Sequence, residues 1–356
     1  MREPRGKRMR WNRRIWPVLV FVVFACQPNA LPVSPSSNQA HDSAYDPRVV
    51  LFVIDGPRYT EAFGDSLHEH VPGMWNQLRP LGTLCSNFRN LGATMTVSGH
   101  AAMLTGNWQW LNNEGLERPH QPTLFEYYRK ATGAPPEDAV IISGKLKLGA
   151  CTNGEDPGYG PAYAGLPDLG LASDFVTYDH LIQRLDQDSP HLVVASFSDV
   201  DVKGHIGSWS DYVRQIEIVD SLAVLTWNHL QANPAYANQT YMFITADHGR
   251  HDDAHGGIVA HGDSCEGCQR IVFLALGPDI RAGYEVATQY TQRDICTTVG
   301  RIMGFSTEQS SGLLLGEIFE PVSTGVLHEE VSTVATPMVS SRAPVAPARP
   351  QDRGRR

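Results

Sequence analysis

Arg48-Val-Val-Leu-Phe-Val-Ile-Asp-Gly56 carries six consecutive apolar residues and then stops at an aspartate and a glycine. A short run that is apolar on both faces predicts a strand buried on both sides, as the strands of parallel sheets are. Four more such runs follow, at residues 139–142, 192–197, 241–245 and 271–276. Longer amphipathic stretches separate them. The clearest spans residues 211–231, where Tyr212, Ile216, Val219, Ala223, Trp227 and Leu230 recur every three or four positions, the period of a helix with one apolar face. Alternation of strand and helix predicts an α/β fold, a layered α/β/α sandwich with a mostly parallel central sheet.

In such sheets ligands gather beyond the carboxyl ends of the strands. Asp55 follows the first run directly, Asp201 stands a few residues past the third, and Asp247-His248 comes just after the fourth. Adjacent strand residues point to opposite faces, so Asp247 and His248 can share a ligand only beyond the strand end, where Gly249 eases a turn. Asp201 and His205 stand four apart, as on one helical face or in a tight loop, and His261 lies in a Gly-rich loop before the fifth run. One aspartate after a strand is ordinarily a turn former or helix cap. Three carboxylates and three imidazoles at one sheet edge predict metal binding. With no thiolate among them they suit zinc, with manganese or iron as alternatives, and six ligands divide naturally between two ions. A two-ion site stabilises the attacking and leaving oxygens of a displacement at phosphorus.

Such a displacement needs a nucleophile. Gly92-Ala-Thr-Met-Thr-Val-Ser-Gly-His-Ala-Ala-Met-Leu-Thr-Gly106 opens a small-residue, helical stretch whose N-terminus offers free N–H groups to an anion. Thr94, Thr96 and Ser98 are the candidate alcohols, and spacing does not choose among them. Each needs a cation to lower its pKa.

Five pieces together identify a resemblance: Val53-Ile-Asp55-Gly, Thr96-x-x-x-His100 with Leu104-Thr-Gly106, Asp201-x-x-Gly-His205, Thr245-Ala-Asp247-His248-Gly, and His261-Gly before Phe273-Leu-Ala-Leu-Gly-Pro278. Over about residues 48–301 the chain resembles the alkaline phosphatase superfamily, in particular its type I phosphodiesterase/nucleotide pyrophosphatase branch and its threonine-nucleophile phosphatases. The resemblance implies an alkaline phosphatase-like fold, with Asp201, His205 and His261 on one ion and Asp55, Asp247, His248 and the Thr96 hydroxyl on the other. It implies attack by Thr96 on a phosphoryl group, metals acting as Lewis acids, and hydrolysis of a phosphothreonine. His100 is then structural. The family's phosphate-binding asparagine falls some twenty residues after the nucleophile. Here Asn112 and Asn113 come sooner, and either takes that place.

The substrate class is less determined. Ser143-Gly-Lys145-Leu-Lys147 resembles the Lys-x-Arg placement that grips a monoester dianion, with Lys147 lacking the bidentate fork of arginine. The alternative is a solvated basic turn. The long insertion that many phosphodiesterases of this branch carry between the Asp-His pair and the last histidine is absent, a spacing shared with cofactor-independent phosphoglycerate mutases and phosphopentomutases. An export signal argues against those cytosolic reactions, and no Cys-x-Pro-x-Arg sulfatase motif occurs. The expectation is a phosphomonoesterase or phosphodiesterase acting on a small phosphate ester. A sulfate or phosphonate ester hydrolase of the same superfamily, or a non-catalytic metal-binding lipoprotein, is the alternative.

The two ends frame that domain. Seven Lys/Arg against one Glu precede an apolar run of about eleven residues, the order of a secretory signal and too short for the roughly twenty of a membrane span. Val23-Phe-Ala-Cys26 resembles a lipobox, which makes Cys26 the lipid-bearing residue and places the protein in the periplasm or on the outer cell envelope. An ordinary signal peptide with an incidental cysteine is the alternative. The expected divisions are a signal at 1–26, a flexible tether at 27–46, a catalytic domain at 47–331 and a disordered Pro/Arg-rich tail at 332–356.

The net charge of −9 includes the +6 of residues 1–25, so the remaining chain is near −15. So acidic a surface excludes nucleic acid as a bulk partner, and no protein partner is evident. Five of the six cysteines follow Cys26. Cys265-x-x-Cys268 is a disulfide, a redox pair or half of a zinc site, and a structural disulfide is the expectation. His251, Asp252, Asp253 and His255 read as solvated loop residues, with a third metal site or an outer shell of ligands as the alternative.

Overall fold

In the computed structural model, residues 45–321 are described. The strands in chain order are β1 (Arg48–Ile54), β2 (Thr83–Cys85), β3 (Phe88–Arg89), β4 (Ala139–Ser143), β5 (Leu166–Leu169), β6 (Leu192–Phe197), β7 (Thr240–Ala246), β8 (Arg270–Ile271), β9 (Phe273–Leu276), β10 (Tyr284–Val286) and β11 (Tyr290–Thr291). The helices are α1 (Thr96–Thr105), α2 (Leu124–Thr132), α3 (Asp174–Gln187), α4 (Asp199–Ile206), α5 (Trp209–Ala232), α6 (Glu266–Gln269) and α7 (Arg293–Met303). The signal segment with Cys26, nearly all of the tether, and the tail at 332–356 lie outside the described residues. Among the described residues no helix is long and apolar enough to cross a membrane.

Eight strands form one sheet in the order β10-β2-β9-β7-β1-β6-β4-β5, and β11-β3-β8 form a small second sheet. β1 runs parallel to β6 and β7, and β4 parallel to β6 and β5. Every residue of β1, β4, β6 and β7 is buried. Both faces are therefore covered: α2 and α7 pack on β4 and β1 beside α1, while α3 and α5 pack on β4, β6 and β7 beside α4. This is the layered sandwich that the apolar runs predict.

The fifth run departs from the prediction. It is two strands, β8 in the small sheet and β9 antiparallel to β7 and β2. A parallel neighbour needs a crossover helix to carry the chain back. Between β7 and β9 the chain instead forms a loop with short helical turns, so it re-enters the sheet from the end it left. Pairing places Ile54 level with Phe197 and with Ala246, and Ser143 level with Ser196. Four strands thus end at one height, on one edge of the sheet.

The expected disulfide is corrected. Cys85, Cys151, Cys265, Cys268 and Cys296 are all free thiols. Cys265 and Cys268 are joined as one helical turn by Cys268 N–H donating to the Cys265 carbonyl at 3.1 Å, an arrangement that sets their side chains next to each other without a bond.

Candidate metal centre

The four level strand ends deliver the predicted residues to one place. Asp55 and Asp247 leave β1 and β7, Lys145 leaves β4, and α4 starts just after β6 with Asp201 in its first turn and His205 one turn on. The helical alternative for the Asp201/His205 spacing is the one adopted. α1 closes the floor with all ten residues buried. A Cβ on Gly99 would stand 2.3 Å from the Asp247 carbonyl, so only glycine lets this helix lie against the end of β7.

Two triangles of donor atoms face inward. His248 Nε2 lies 3.5 Å from Asp55 Oδ1 and 3.6 Å from Asp247 Oδ2, and none of these three buried atoms has a hydrogen-bond partner. His205 Nε2 and His261 Nε2 stand 3.2 Å apart, at 3.4 and 3.5 Å from Asp201 Oδ1. Donors on a tetrahedral ion at zinc's bond lengths are separated by about 3.3–3.4 Å, so both triangles have the size of a coordination face. His248 borders both, because its ring stacks on His261 at 3.8 Å and it also comes within 4.8 Å of Asp201 and His261. The shorter distances assign it to the Asp55/Asp247 side.

The tautomers point the same way. The Nδ1 atoms of His205, His248 and His261 lie 2.8 Å from the carbonyls of Val259, Gly249 and Thr94. A carbonyl can only accept, so each Nδ1 carries the proton and each Nε2 turns a lone pair into the site. Two lone pairs at 3.2 Å repel unless a cation lies between them. The donor set thus fits the divalent ions the sequence predicts.

Charges follow from this crowding. Burial, reinforced by the Asp55 charge, pushes Asp247 well above the usual carboxylate range, and burial brings Asp55 to about 6 against the pull of Lys145. Asp201 is held below the usual range: burial opposes this, but His205, Lys145 and Arg250 outweigh it. Burial holds His248 well below, and His261 at about 4, so both rings are neutral and free to offer Nε2 to a cation.

Lys145 Nζ sits between the two groups, 2.5 Å from Asp55 Oδ2, 2.6 Å from Asp201 Oδ2 and 3.3 Å from Thr96 Oγ1. Of the three candidate alcohols, Thr94 donates to the Asp263 carbonyl, and Ser98 is bonded to Leu111. Thr96 turns its hydroxyl to the lysine at the first residue of α1. His100 Nδ1–H donates to the Thr96 carbonyl at 2.8 Å, and its Nε2 accepts from Ser196 at 3.0 Å. Burial holds that ring at about 3, so it is neutral. Asn113 Oδ1 accepts from Val97 N–H beside Thr96, whereas Asn112 is exposed and bonded within its own turn. Lys147 is half-buried, and burial, then the charge of Lys145, lowers it.

Three supports escaped the sequence reading. Arg250 is fully buried and grips Asp201 Oδ1 and the Ile258 carbonyl. Its only signal was a charge next to Asp247-His248-Gly249. Asn90 and Gln292 donate to the Asp247 carbonyl at 2.8 and 2.6 Å from distant parts of the chain, with no local signal at all.

No protein-family model matches the chain. The 2,3-bisphosphoglycerate-independent phosphoglycerate mutase of Clostridium perfringens is 35% identical over 77 residues, which are 22% of this chain and 14% of the mutase. Similar solved structures include a 2-O GAG sulfatase (TM-score 0.60, 14% identity, 77% of this chain and 74% of the other). Murine ectonucleotide pyrophosphatase/phosphodiesterase 5 gives a TM-score of 0.57 at 13% identity, over 77% of this chain and all of the other. A protein in the alkaline phosphatase superfamily from Vibrio parahaemolyticus gives 0.56 at 12% identity, over 79% and 71%. The mostly parallel eight-stranded sheet thus has the alkaline phosphatase-like fold.

Proposed function

We propose that this chain is an exported phosphoric ester hydrolase that uses two divalent ions, zinc in the first instance, and a covalent phosphothreonine at Thr96. The observation that carries the reading is the Thr96 hydroxyl at a helix N-terminus, beside two ion-sized triangles of inward-facing lone pairs and carboxylates. Asp55, Asp247 and His248 would hold one ion, and Asp201, His205 and His261 the other. Bound there, the ions supply Lewis acidity for the attacking and leaving oxygens.

The chain's own residues do the rest. His100 fixes the Thr96 backbone, and Asn113 holds the first turn of α1, so the hydroxyl is aimed before substrate arrives. The Thr96 hydroxyl gives its proton to solvent as the bond from Oγ1 to phosphorus forms and the ester P–O bond breaks, and the departing alkoxide takes a proton from water. Water then replaces Thr96 on phosphorus. Lys145 brings a fixed positive charge within reach of the nucleophile, where the non-bridging oxygens of the phosphoryl group gather charge. The basic leader and Cys26 extend the proposal to an envelope protein tethered by lipid.

Zinc-loaded protein assayed with p-nitrophenyl phosphate and bis-p-nitrophenyl phosphate tests the reading. Turnover of at least one ester is expected, with Lys145→Ala reducing monoester turnover more than diester turnover. No turnover on either, nor on phosphonate or sulfate esters, would favour a binding protein. The second reading, a sulfate or phosphonate ester hydrolase, is favoured by the 2-O GAG sulfatase among structures of this fold. It predicts p-nitrophenyl sulfate or a phosphonate ester as the better substrate.

A further inference from the structure

Next to the centre, the β7–β9 loop gathers a second kind of ligand set that the hydrolase reading does not use. His251, Asp263 and Cys268 present ligand atoms within 4.8 Å of one another. His251 Nε2 is buried without a hydrogen-bond partner and lies 3.3 Å from Asp263 Oδ2. Cys265 N–H donates to Asp263 Oδ1 at 3.0 Å, and Cys268 N–H to the Cys265 carbonyl at 3.1 Å, which holds both cysteines beside that carboxylate. One sulfur, one imidazole and one carboxylate therefore meet at a single point, and a second sulfur, that of Cys265, lies one helical turn from the first. We propose that His251, Asp263, Cys265 and Cys268 form a third cation site, specific for a thiophilic divalent ion such as zinc and distinct from the nitrogen/oxygen centre.

The chemistry separates the two kinds of site. Thiolates select zinc over magnesium, calcium or manganese, and a closed set of four protein ligands is the structural type of site. Binding displaces the two thiol protons to water and leaves Cys265 and Cys268 as thiolates on the ion. Burial pushes the free Cys268 thiol up to about 12, so without a cation it stays protonated and unreactive.

The position gives the site its consequence. Cys268 is tied to the residue after a metal ligand, because Gly249 N–H donates to its carbonyl at 2.8 Å, and His251 N–H donates to Ala260 at 3.0 Å. The backbones touch so closely that a Cβ on Gly249 would stand 1.9 Å from the Gly267 carbonyl. An ion on residues 251, 263, 265 and 268 would staple the loop on both sides of His261. The neighbouring group of Asp252, His255 and Cys265 competes for the same cysteine. Its Asp252–His255 pair is already closed at 2.6 Å and faces solvent, so it lacks the unsatisfied buried atom that His251 provides.

Cobalt(II) titration of the reduced, metal-free full chain tests the proposal, because sulfur ligation gives a near-ultraviolet charge-transfer absorption that nitrogen and oxygen ligands do not. The expected result is one equivalent of cobalt showing that absorption, its loss in Cys265→Ser and in Cys268→Ser, and a fall in bound zinc from three equivalents to two. His251→Ala, which leaves both thiols in place, is expected to weaken it. Should the buried Cys268→Ser fail to fold, alkylation of wild-type Cys265 decides the matter, with zinc slowing its labelling. Absence of the absorption in fully reduced protein, its survival in Cys265→Ser, or labelling of Cys265 indifferent to zinc would each overturn the proposal.

Discussion

The two halves of the centre are built to different standards. Asp55, Asp247 and His248 have no exposed surface, and they rest on strand ends and α1. Across from them His205 has about half of its side chain exposed, on the short α4, and its partner His261 hangs from a loop. A buried carboxylate oxygen without a partner is costly, so an ion bound by Asp55 Oδ1, Asp247 Oδ2 and His248 would stabilise the first half. The second half would exchange an ion with solvent more readily. In the proposed hydrolase that division would keep one ion in place and let the other stand where a leaving group departs.

The largest effect expected from this contrast is in metal retention. His248→Ala should lose an ion on gel filtration and lower metal affinity by more than the roughly 10–100-fold that outer-shell partners cost. His205→Ala should show a smaller loss that excess zinc restores. Equal retention in the two variants, measured by elemental analysis, would break the comparison.

A mid-sized effect is expected at Arg250, the buried cation that shares Asp201 with the exchangeable half. Arg250→Ala leaves Asp201 with Lys145 as its cationic partner but without the bond to Oδ1, and should cost about 1.5–3 kcal/mol without metal. With zinc bound the loss should shrink, because the ion takes over the missing charge. Urea unfolding with and without chelator measures both, and an identical loss would remove Arg250 from the electrostatics of the site.

The smallest effect lies far from either half and serves as a control. Asp220 accepts N–H bonds from Gly73 and Met74 at 2.8 and 2.7 Å, and burial pushes it from 3.8 to about 6. Its proton is held more tightly folded than unfolded, so its stabilising contribution is complete below about pH 4 and is lost as pH rises through about 6. The urea midpoint should fall across that window in wild type, and that part of the fall should vanish in Asp220→Asn. A slope unchanged in Asp220→Asn would assign the titration elsewhere.

Much of this was legible in the sequence because it is local. Apolar runs such as 48–54 and 192–197 are strands at those same bounds, since a strand buried on both faces must be apolar at every position. The candidate ligands Asp55, Asp201, Asp247 and His248 were legible because each follows such a run, and His205 and His261 by their spacing from these. The unread parts are the non-local ones. β2, β5 and β10 are three or four residues long, too short to show a period. The split between β8 and β9 depends on which sheet each joins. Arg250, Asn90 and Gln292 work through contacts made across the fold, and Cys265 with Cys268 looked like a disulfide until Asp263 and His251 were seen beside them. Thr94, Thr96 and Ser98 were equivalent by spacing, and only the bonds to Asp263 and Leu111 set two of them aside.

The most direct test is chemical. Zinc-loaded protein is acid-quenched while turning over p-nitrophenyl phosphate, and the phosphate is located by peptide mass spectrometry. The expected result is a single phosphate on Thr96, absent in Thr96→Ala, whose turnover falls by on the order of 10⁴-fold or more. Steady turnover with no phosphate on Thr96, or unchanged turnover in Thr96→Ala, would contradict the central claim.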